Sequence, residues 1–359
     1  MNTAPNLPLE VLQAIEAIQP RSERWHHIAL GHLDQLTKPQ GSLGRLEEIA
    51  ARLVSIQQSS RPSCDGKAVY VFAGDHGVVA EGVSAYPQEV TTQMVLNFIN
   101  GGAAVNVLAR TVGAGVVVVD MGVAGDFAPA PGLVQAKVRR GTRNFLREPA
   151  MTRAEMFAAI STGLRLAQQA SDEGRKILAI GEMGIGNTTS ASAITAAITK
   201  ADPDQVTGAG TGVANDARRH KVDVVRRAVA MHAKELADPL ALLACLGGYE
   251  IAAMTGMVLG AAARRMAVVI DGFISTSAAA VAFLLAPACR DYMLAGHASQ
   301  EPGHRILLDY MELDPLLNLN MRLGEGSGAV LAFPIVEAAL RVYNEMATFA
   351  SAGVSQKAE

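Results

Sequence analysis

The sequence predicts an α/β protein built on a mainly parallel sheet, and three observations predict it. Short β-rich runs alternate with longer helical patterns, so successive strands must be joined by crossovers. Half of the residues are hydrophobic but only 4% are aromatic, which leaves Ala, Val, Leu, Ile and Met to fill the core. With 34 glycines, that aliphatic bias suits a buried sheet with helices packed closely on its faces. The 359 residues are enough for one large domain and a smaller one.

Taken in order, helices are predicted over 7–19 and 42–58. The second carries Leu43, Leu46, Ile49, Leu53 and Ile56 at three-to-four spacing, a single apolar stripe. β-rich runs follow at 68–73, 115–120, 176–181 and 266–271, with weaker ones at 134–138 and 205–209. Helical patterns lie between them at 88–112, 152–173, 187–200, 216–235, 247–263 and 275–287. The apolar run 273–288 is shorter than the roughly 20 residues of a membrane span. Asp271, Arg264 and Arg265 close it off upstream, so it reads as a buried core helix. Residues 350–359 are small or polar and are expected to fray. No internal repeat or low-complexity linker divides the chain.

Charge and cysteine usage exclude several function classes. A formal net charge of −3 and a pI near 6.3 provide no basic field, which argues against a nucleic-acid partner. Cys64, Cys245 and Cys289 are scattered and odd in number, so neither a disulfide framework nor a zinc knuckle is expected, and a reducing cytoplasm fits best. The N-terminal stretch, with Glu10 and Glu16, does not read as a signal peptide.

The strand ends are more telling. Four apolar runs finish in a glycine and an acid: Gly74-Asp75-His76-Gly77, Asp120-Met121-Gly122, Gly181-Glu182-Met183-Gly184 and Asp271-Gly272. Ligands of open α/β sheets bind beyond the carboxyl ends of the strands, so the four loops are expected to line one cleft. Two glycine-rich loops suit a phosphate. The stretch 181–187 leads into Thr188-Thr189-Ser190 and an alanine-rich helix, whose first N–H groups and dipole form an anion site. Gly208-Ala209-Gly210-Thr211-Gly212 repeats the arrangement ahead of a helix near Asn215. Neither has a Walker lysine or a full dinucleotide fingerprint, and each reads equally as a tight helix–strand turn.

The basic helix that follows carries Arg218, Arg219, His220, Lys221, Arg226 and Arg227 opposite Val222, Val225 and Val229. Most of these charges read as a solvated face, with Lys221 and Arg218 as candidates to hold a phosphate. His76 reads as a turn residue rather than a metal ligand, because no second histidine stands at ligand spacing. His297 and His304 are isolated, and His26 and His27 beside Trp25 read as surface or packing residues.

Near the C-terminus, Met321-Arg322-Leu323-Gly324-Glu325-Gly326-Ser327-Gly328 sets one acid among three glycines, with apolar sequence directly after it. Glycines permit positive-φ turns and close approach to a ligand. A carboxylate held there against apolar walls would be raised towards working pH, as a general base requires. A helix cap with a solvated acid in its first turn fits the same residues.

With these residues laid out, the chain resembles the nicotinate-nucleotide–dimethylbenzimidazole phosphoribosyltransferase family over roughly 36–347. The resemblance rests on ordered blocks: Thr37-Lys38-Pro39-Gln40-Gly41-Ser42-Leu43-Gly44, Ala73-Gly74-Asp75-His76-Gly77-Val78, Gly181-Glu182-Met183-Gly184-Ile185-Gly186-Asn187-Thr188-Thr189, Lys221-Val222-Asp223-Val224-Val225, Asp271-Gly272-Phe273 and Arg322-Leu323-Gly324-Glu325-Gly326-Ser327-Gly328. It implies Glu325 as catalytic base. It also implies a nucleotide and phosphate site of Glu182, Gly184, Gly186, Asn187, Thr188, Gly210, Gly212 and Lys221.

The acceptor pocket implied is Ser84, Tyr86, Gln93, Met94 and Leu323, with Tyr86 either stacking on the ring or serving as a turn residue before Pro87. The implied substrates are nicotinate mononucleotide and a benzimidazole-type base, with no metal and no organic cofactor, and the implied assembly is a homodimer. Both lines of reading lead to a Rossmann-like parallel sheet flanked by helices in a large domain over 30–295. A small helical domain is expected from the chain ends, 1–29 and 296–359. Two rivals stay open: another nucleotide phosphoribosyltransferase, such as one acting on nicotinate itself, and a non-catalytic nucleotide-binding sensor.

Overall fold

The computed structural model describes residues 7–208 and 215–355. Six strands form one sheet: β1 (Ala68–Gly74), β2 (Gly115–Gly122), β3 (Leu133–Gln135), β4 (Ile177–Met183), β5 (Ala267–Ile270) and β6 (Met293–Ala295). Their order is β3-β2-β1-β4-β5-β6 and every pairing is parallel. All residues of β1 are buried, as expected of a central parallel strand covered on both faces. The chain leaves β1 first towards β2 and β3, then returns to β4 on its other side. The strand order therefore reverses at β1, and a crevice opens there beyond the strand ends.

The helices, in chain order, are α1 (Leu9–Ala17), α2 (Glu23–Leu33), α3 (Arg45–Gln57), α4 (Glu89–Ile99), α5 (Ala104–Thr111), α6 (Arg153–Asp172), α7 (Asn187–Thr199), α8 (Pro203–Val206), α9 (Asn215–Met231), α10 (Pro239–Leu246), α11 (Tyr249–Ala263), α12 (Phe273–Leu285), α13 (Pro302–Met311), α14 (Ser327–Glu345) and α15 (Phe349–Ala352). α11 and α12 are buried along nearly their whole length, so the run at 273–288 is a core helix and not a span. No helix among the described residues is long and apolar enough to cross a membrane. α6 and α11 pack backbone to backbone: a Cβ on Gly163 would lie 1.9 Å from the Ala253 carbonyl oxygen, and one on Gly256 2.1 Å from that of Ile160. The two chain ends meet at an antiparallel bridge between Leu36 and Thr348, and α14 packs on both α3 and α5.

Several expectations are corrected. The helix expected over 88–112 is two helices, because the chain turns at Asn100-Gly101-Gly102 with Gly101 at φ +75°. The weak strand at 205–209 begins instead inside α8, where Pro203 occupies the first turn and Asp202 caps it; residue 209 lies outside the described residues. β6 was missed because three residues without a β-branched side chain carry no strand signal. α2, α10, α13 and α14 were also missed. α10 and α13 announce themselves by Asp238-Pro239 and Glu301-Pro302, an acid followed by a first-turn proline.

Candidate active site

A cleft of about 630 Å³ lies beyond the carboxyl ends of β4 and β5. The segment after β1 supplies Val83, Ser84, Tyr86, Val90 and Met94; the end of β4 and start of α7 supply Glu182 through Thr188. The start of α12, the loop after β6 (His297, Ser299, Glu301) and the stretch from Arg322 to Glu325 close it. Of the four strand-end loops, those after β4 and β5 reach this cleft. Asp75 and Asp120 instead serve neighbouring backbone, accepting the N–H groups of Ala124 at 2.7 Å and Val123 at 2.9 Å.

Glu325 is buried, 6% exposed, and holds a left-handed φ of +64°. Its Oε2 accepts the Val105 N–H at 3.3 Å, so its carboxylate sits on the first turn of α5, the helix created by the break at Gly101-Gly102. Burial pushes the Glu325 carboxyl up from the usual range, the Val105 bond holds it down, and the charge of Asp271 adds to the rise. The solvated-cap alternative is thereby corrected. The cap of α14 is Asp271 from the end of β5, whose Oδ2 accepts from Gly326 N–H at 3.1 Å and whose Oδ1 accepts from Gly328 at 2.7 Å and Ala329 at 3.0 Å. The turn carrying Glu325 lies directly on β4. A Cβ on Gly181 would come within 2.2 Å of the Gly326 nitrogen, so glycine is required there.

Glu182 lies at the outer end of β4 and is 7% exposed. Asn187 donates its side-chain N–H to Glu182 Oε2. Burial, then the charges of Asp271 and Glu250, push the Glu182 carboxyl up to about 8. α7 starts beside it with Gly186 at φ +94° and no side chain capping the helix, which leaves that positive helix end facing the cleft. Thr91 fixes the loop by accepting the Ile185 N–H at 3.1 Å.

Lys221 of α9 lies behind this loop, 2% exposed, and donates from Nζ to Thr188 Oγ1 at 2.8 Å. Burial pulls its ammonium down to about 8, while Glu301 supports the charge. Gly184, Gly186, Asn187, Thr188, Glu182 and Lys221 thus come together as expected. Gly210 and Gly212 lie outside the described residues. Arg218 does not join them: its guanidinium donates to the Thr207 carbonyl at 3.0 Å and to Asp204. The remaining arginines of α9 form the exposed face foreseen, for example Arg219 at 75%.

On the acceptor side, Ser84, Tyr86, Met94 and Leu323 line the cleft. Gln93 does not: it is exposed on α4 and absent from the lining, because the helical turn that brings Met94 inward carries Gln93 away. Tyr86 both takes part in a turn, with its N–H on Ser84 Oγ at 3.1 Å, and leaves its ring half-exposed at the mouth.

Two site residues escaped the sequence reading. His297 is not isolated; it is buried in the cleft wall with Nδ1 3.6 Å from Asp271 Oδ1, and neither ring nitrogen has a hydrogen-bond partner among the described residues. Glu301 also lines the cleft, its Oε2 buried and without a partner among the described residues. Both follow β6, and without that strand no local pattern brings them here. His76 is a turn residue as expected, and its Nε2 meets Glu250 Oε1 at 2.5 Å behind the cleft. Glu182, Glu301 and Glu325 line one cleft whose positive elements include Arg322 in its wall, the α7 terminus and Lys221 behind it. Such a site suits a ligand with an anionic group at one end and a developing cation at the other.

Comparison with known proteins identifies the family. A family model described as phosphoribosyltransferase matches residues 18–354. The nicotinate-nucleotide–dimethylbenzimidazole phosphoribosyltransferase of Chlorobium chlorochromatii (strain CaD3) is 52% identical over 351 residues, covering 98% of this chain and 99% of that protein. The enzyme of the same name from Geotalea uraniireducens (strain Rf4) is 53% identical over 344 residues, covering 96% and 98%. A crystal structure of that enzyme from Thermus thermophilus superposes with a TM-score of 0.87 at 46% identity, covering 94% of this chain and 100% of the other.

Proposed function

The chain belongs to the nicotinate-nucleotide–dimethylbenzimidazole phosphoribosyltransferase family, and from that premise we propose that Glu325 is its general base. The protein transfers the phosphoribosyl group of nicotinate mononucleotide to 5,6-dimethylbenzimidazole, giving α-ribazole 5′-phosphate and nicotinate in nucleotide-loop assembly of cobalamin. One observation carries the base assignment: a buried carboxylate, raised by its surroundings, stands in the cleft wall next to Leu323 and the acceptor side.

The chemistry needs no more than that. One benzimidazole nitrogen attacks the ribose C1′ while the C1′–N bond to the pyridinium breaks, its electron pair returning to the ring nitrogen. Nicotinate therefore leaves without a general acid. The alkylated acceptor would be a cation unless its other nitrogen gives up its proton, and Glu325 takes that proton. Attack from the face opposite the leaving ring inverts the anomeric carbon and gives the α-ribotide.

Glu182 lies where an anion would favour the oxocarbenium-like transition state. The α7 terminus, the loop from Gly184 to Thr188 and Lys221 hold the 5′-phosphate, and that remote binding positions the reacting centre. Lys221 is desolvated in advance and gains a dianion as partner when the nucleotide arrives. Ser84, Tyr86, Met94 and Leu323 receive the acceptor ring.

The same reading includes a cytoplasmic location, in keeping with three unpaired cysteines, and a homodimer. It also divides the chain into a large α/β domain over 30–295 and a small helical one from 1–29 and 296–359.

A product assay following α-ribazole 5′-phosphate and nicotinate together tests the base. Glu325→Gln is expected to fold and bind nicotinate mononucleotide, yet to lose turnover by about 10²–10⁴-fold. Turnover within a few-fold of wild type would remove Glu325 from the role.

A further inference from the structure

We propose that Asp271 is the positioning residue of the base: it seats Glu325 by capping α14, and its buried negative charge makes Glu325 a stronger proton acceptor. The proposal deepens the reading of Glu325 as base and rests on it.

The seating is visible in three bonds. Asp271 directly follows β5, so the sheet fixes its position. From there its two oxygens take the N–H groups of Gly326, Gly328 and Ala329. Gly326 is the residue after Glu325 and is the N-cap of α14. The left-handed backbone at Glu325 and Gly326 is therefore pinned from the sheet, and the Glu325 backbone cannot shift without disturbing these bonds.

The charge is a separate matter. An uncharged Asn can still accept helix N–H groups through its one amide oxygen, so capping by itself does not call for a charge, although the second oxygen, which takes the Gly326 N–H, is an acceptor that the acid alone supplies. What the acid adds besides is a carboxyl able to carry negative charge, 1% exposed, in the connected group of side chains behind the cleft. Facing it are Glu182 from β4, Glu325 ahead of α14 and His297 from the loop after β6; Glu250 of α11 acts on Glu182 from behind and is itself engaged by His76. Burial pushes the Asp271 carboxyl up from the usual carboxylate range, while His297, the three N–H bonds and the positive end of α14 oppose that rise and favour the ionised form. Among the causes that raise Glu182 and Glu325, the Asp271 charge is common to both. Like charges in a shared low-dielectric site make each group hold its proton more tightly. A tighter hold at Glu325 is greater basicity where the acceptor must lose its proton.

The test separates the charge from the cap. Asp271→Asn and Asp271→Ser keep an acceptor for the helix but remove the charge. Glutamate carboxyl carbons labelled with ¹³C are titrated by NMR, with the Glu325 signal identified by its absence from Glu325→Gln. In either neutral variant the Glu325 midpoint should fall by about one pH unit, and the acid limb of kcat/KM should move down with it. A folded variant whose midpoint and acid limb stay in place would reduce Asp271 to a cap.

Should neither variant fold, wild-type protein labelled at Asp and Glu carboxyls provides the same reading. Coupling then appears as a second inflection in the Glu325 curve at the Asp271 midpoint, and a single inflection overturns the proposal. Failure of the base assignment looks different: Glu325→Gln would keep its turnover, whatever the carboxyl titrations report.

Discussion

A buried glutamate and a buried lysine of the proposed nucleotide site carry opposite burdens. Glu182 is pushed up to about 8 and Lys221 pulled down to about 8, so near neutral pH the empty site holds both in protonated form. A pyridinium ring arriving beside Glu182 favours its anion, and the anion is the form that stabilises positive charge at C1′. Nicotinate mononucleotide binding at a pH of about 7 should therefore release up to about one proton, with little uptake by a lysine that is already charged. Calorimetry in buffers of differing ionisation enthalpy measures the number, and Glu182→Gln should abolish most of it. Equal proton release by wild type and Glu182→Gln would sink the idea.

Glu325 and Glu182 stood out in the sequence because each sits in a glycine-rich turn whose chemistry is local, and Lys221 as a basic residue of the helix that follows the Gly208–Gly212 loop. His297 and Glu301 were not, since only β6 brings them to the cleft. Gln93 was misplaced for a simpler reason: neighbouring residues of a helix point in different directions, and Met94 took the inward one.

At the scale of elements, the site is an encounter of helix ends. The α5 start, which receives Glu325, exists only because two glycines interrupt what reads as one long amphipathic helix. The α7 start faces the cleft, and the α14 start is tied to β5. The four main strands and helices such as α3, α6 and α11 were predictable because their patterns extend over many residues, whereas the 19-residue α14 was not. The break at Gly101-Gly102, the proline-led starts of α8, α10 and α13, and three-residue β6 were lost because each rests on a few positions. Glycine at the β4 crossing shows how tightly these ends are joined. Gly181→Ala sets a methyl against the Gly326 nitrogen and the Glu325 carbonyl carbon, at 2.2 and 2.5 Å. Backbone rather than a flexible side chain must yield. The expected cost is about 1–3 kcal/mol of stability and, through displacement of Glu325, about 10²-fold in kcat. Thermal unfolding and steady-state rates check both, and an unchanged kcat would mean that the turn tolerates the shift.

At the scale of the whole molecule, a sheet whose order reverses at β1 opens its crevice where the β4 and β5 loops supply acids. The architecture was readable in advance from alternating elements and an aliphatic core, whereas the pairing of distant loops into one cleft needed the fold. The mouth of that cleft leaves Tyr86 and Leu323 more than half exposed, at 53% and 55%. A second copy covering that rim would shield both. Sedimentation equilibrium should accordingly return about twice the 37.6 kDa chain mass, and a one-chain mass would exclude the homodimer.

The meeting of α6 and α11 has a consequence for anyone charting which positions accept change. Where Gly163 and Gly256 bring two backbones together there is no room for even one added carbon, and both sit in helices well behind the cleft. In a saturation library these positions should be as barren as Glu325. Tolerance to substitution would then not separate the residues that handle substrate from those that merely let two helices touch. Only a second readout, such as the amount of folded protein recovered from each clone, would tell a dead active site from a molecule that never assembled.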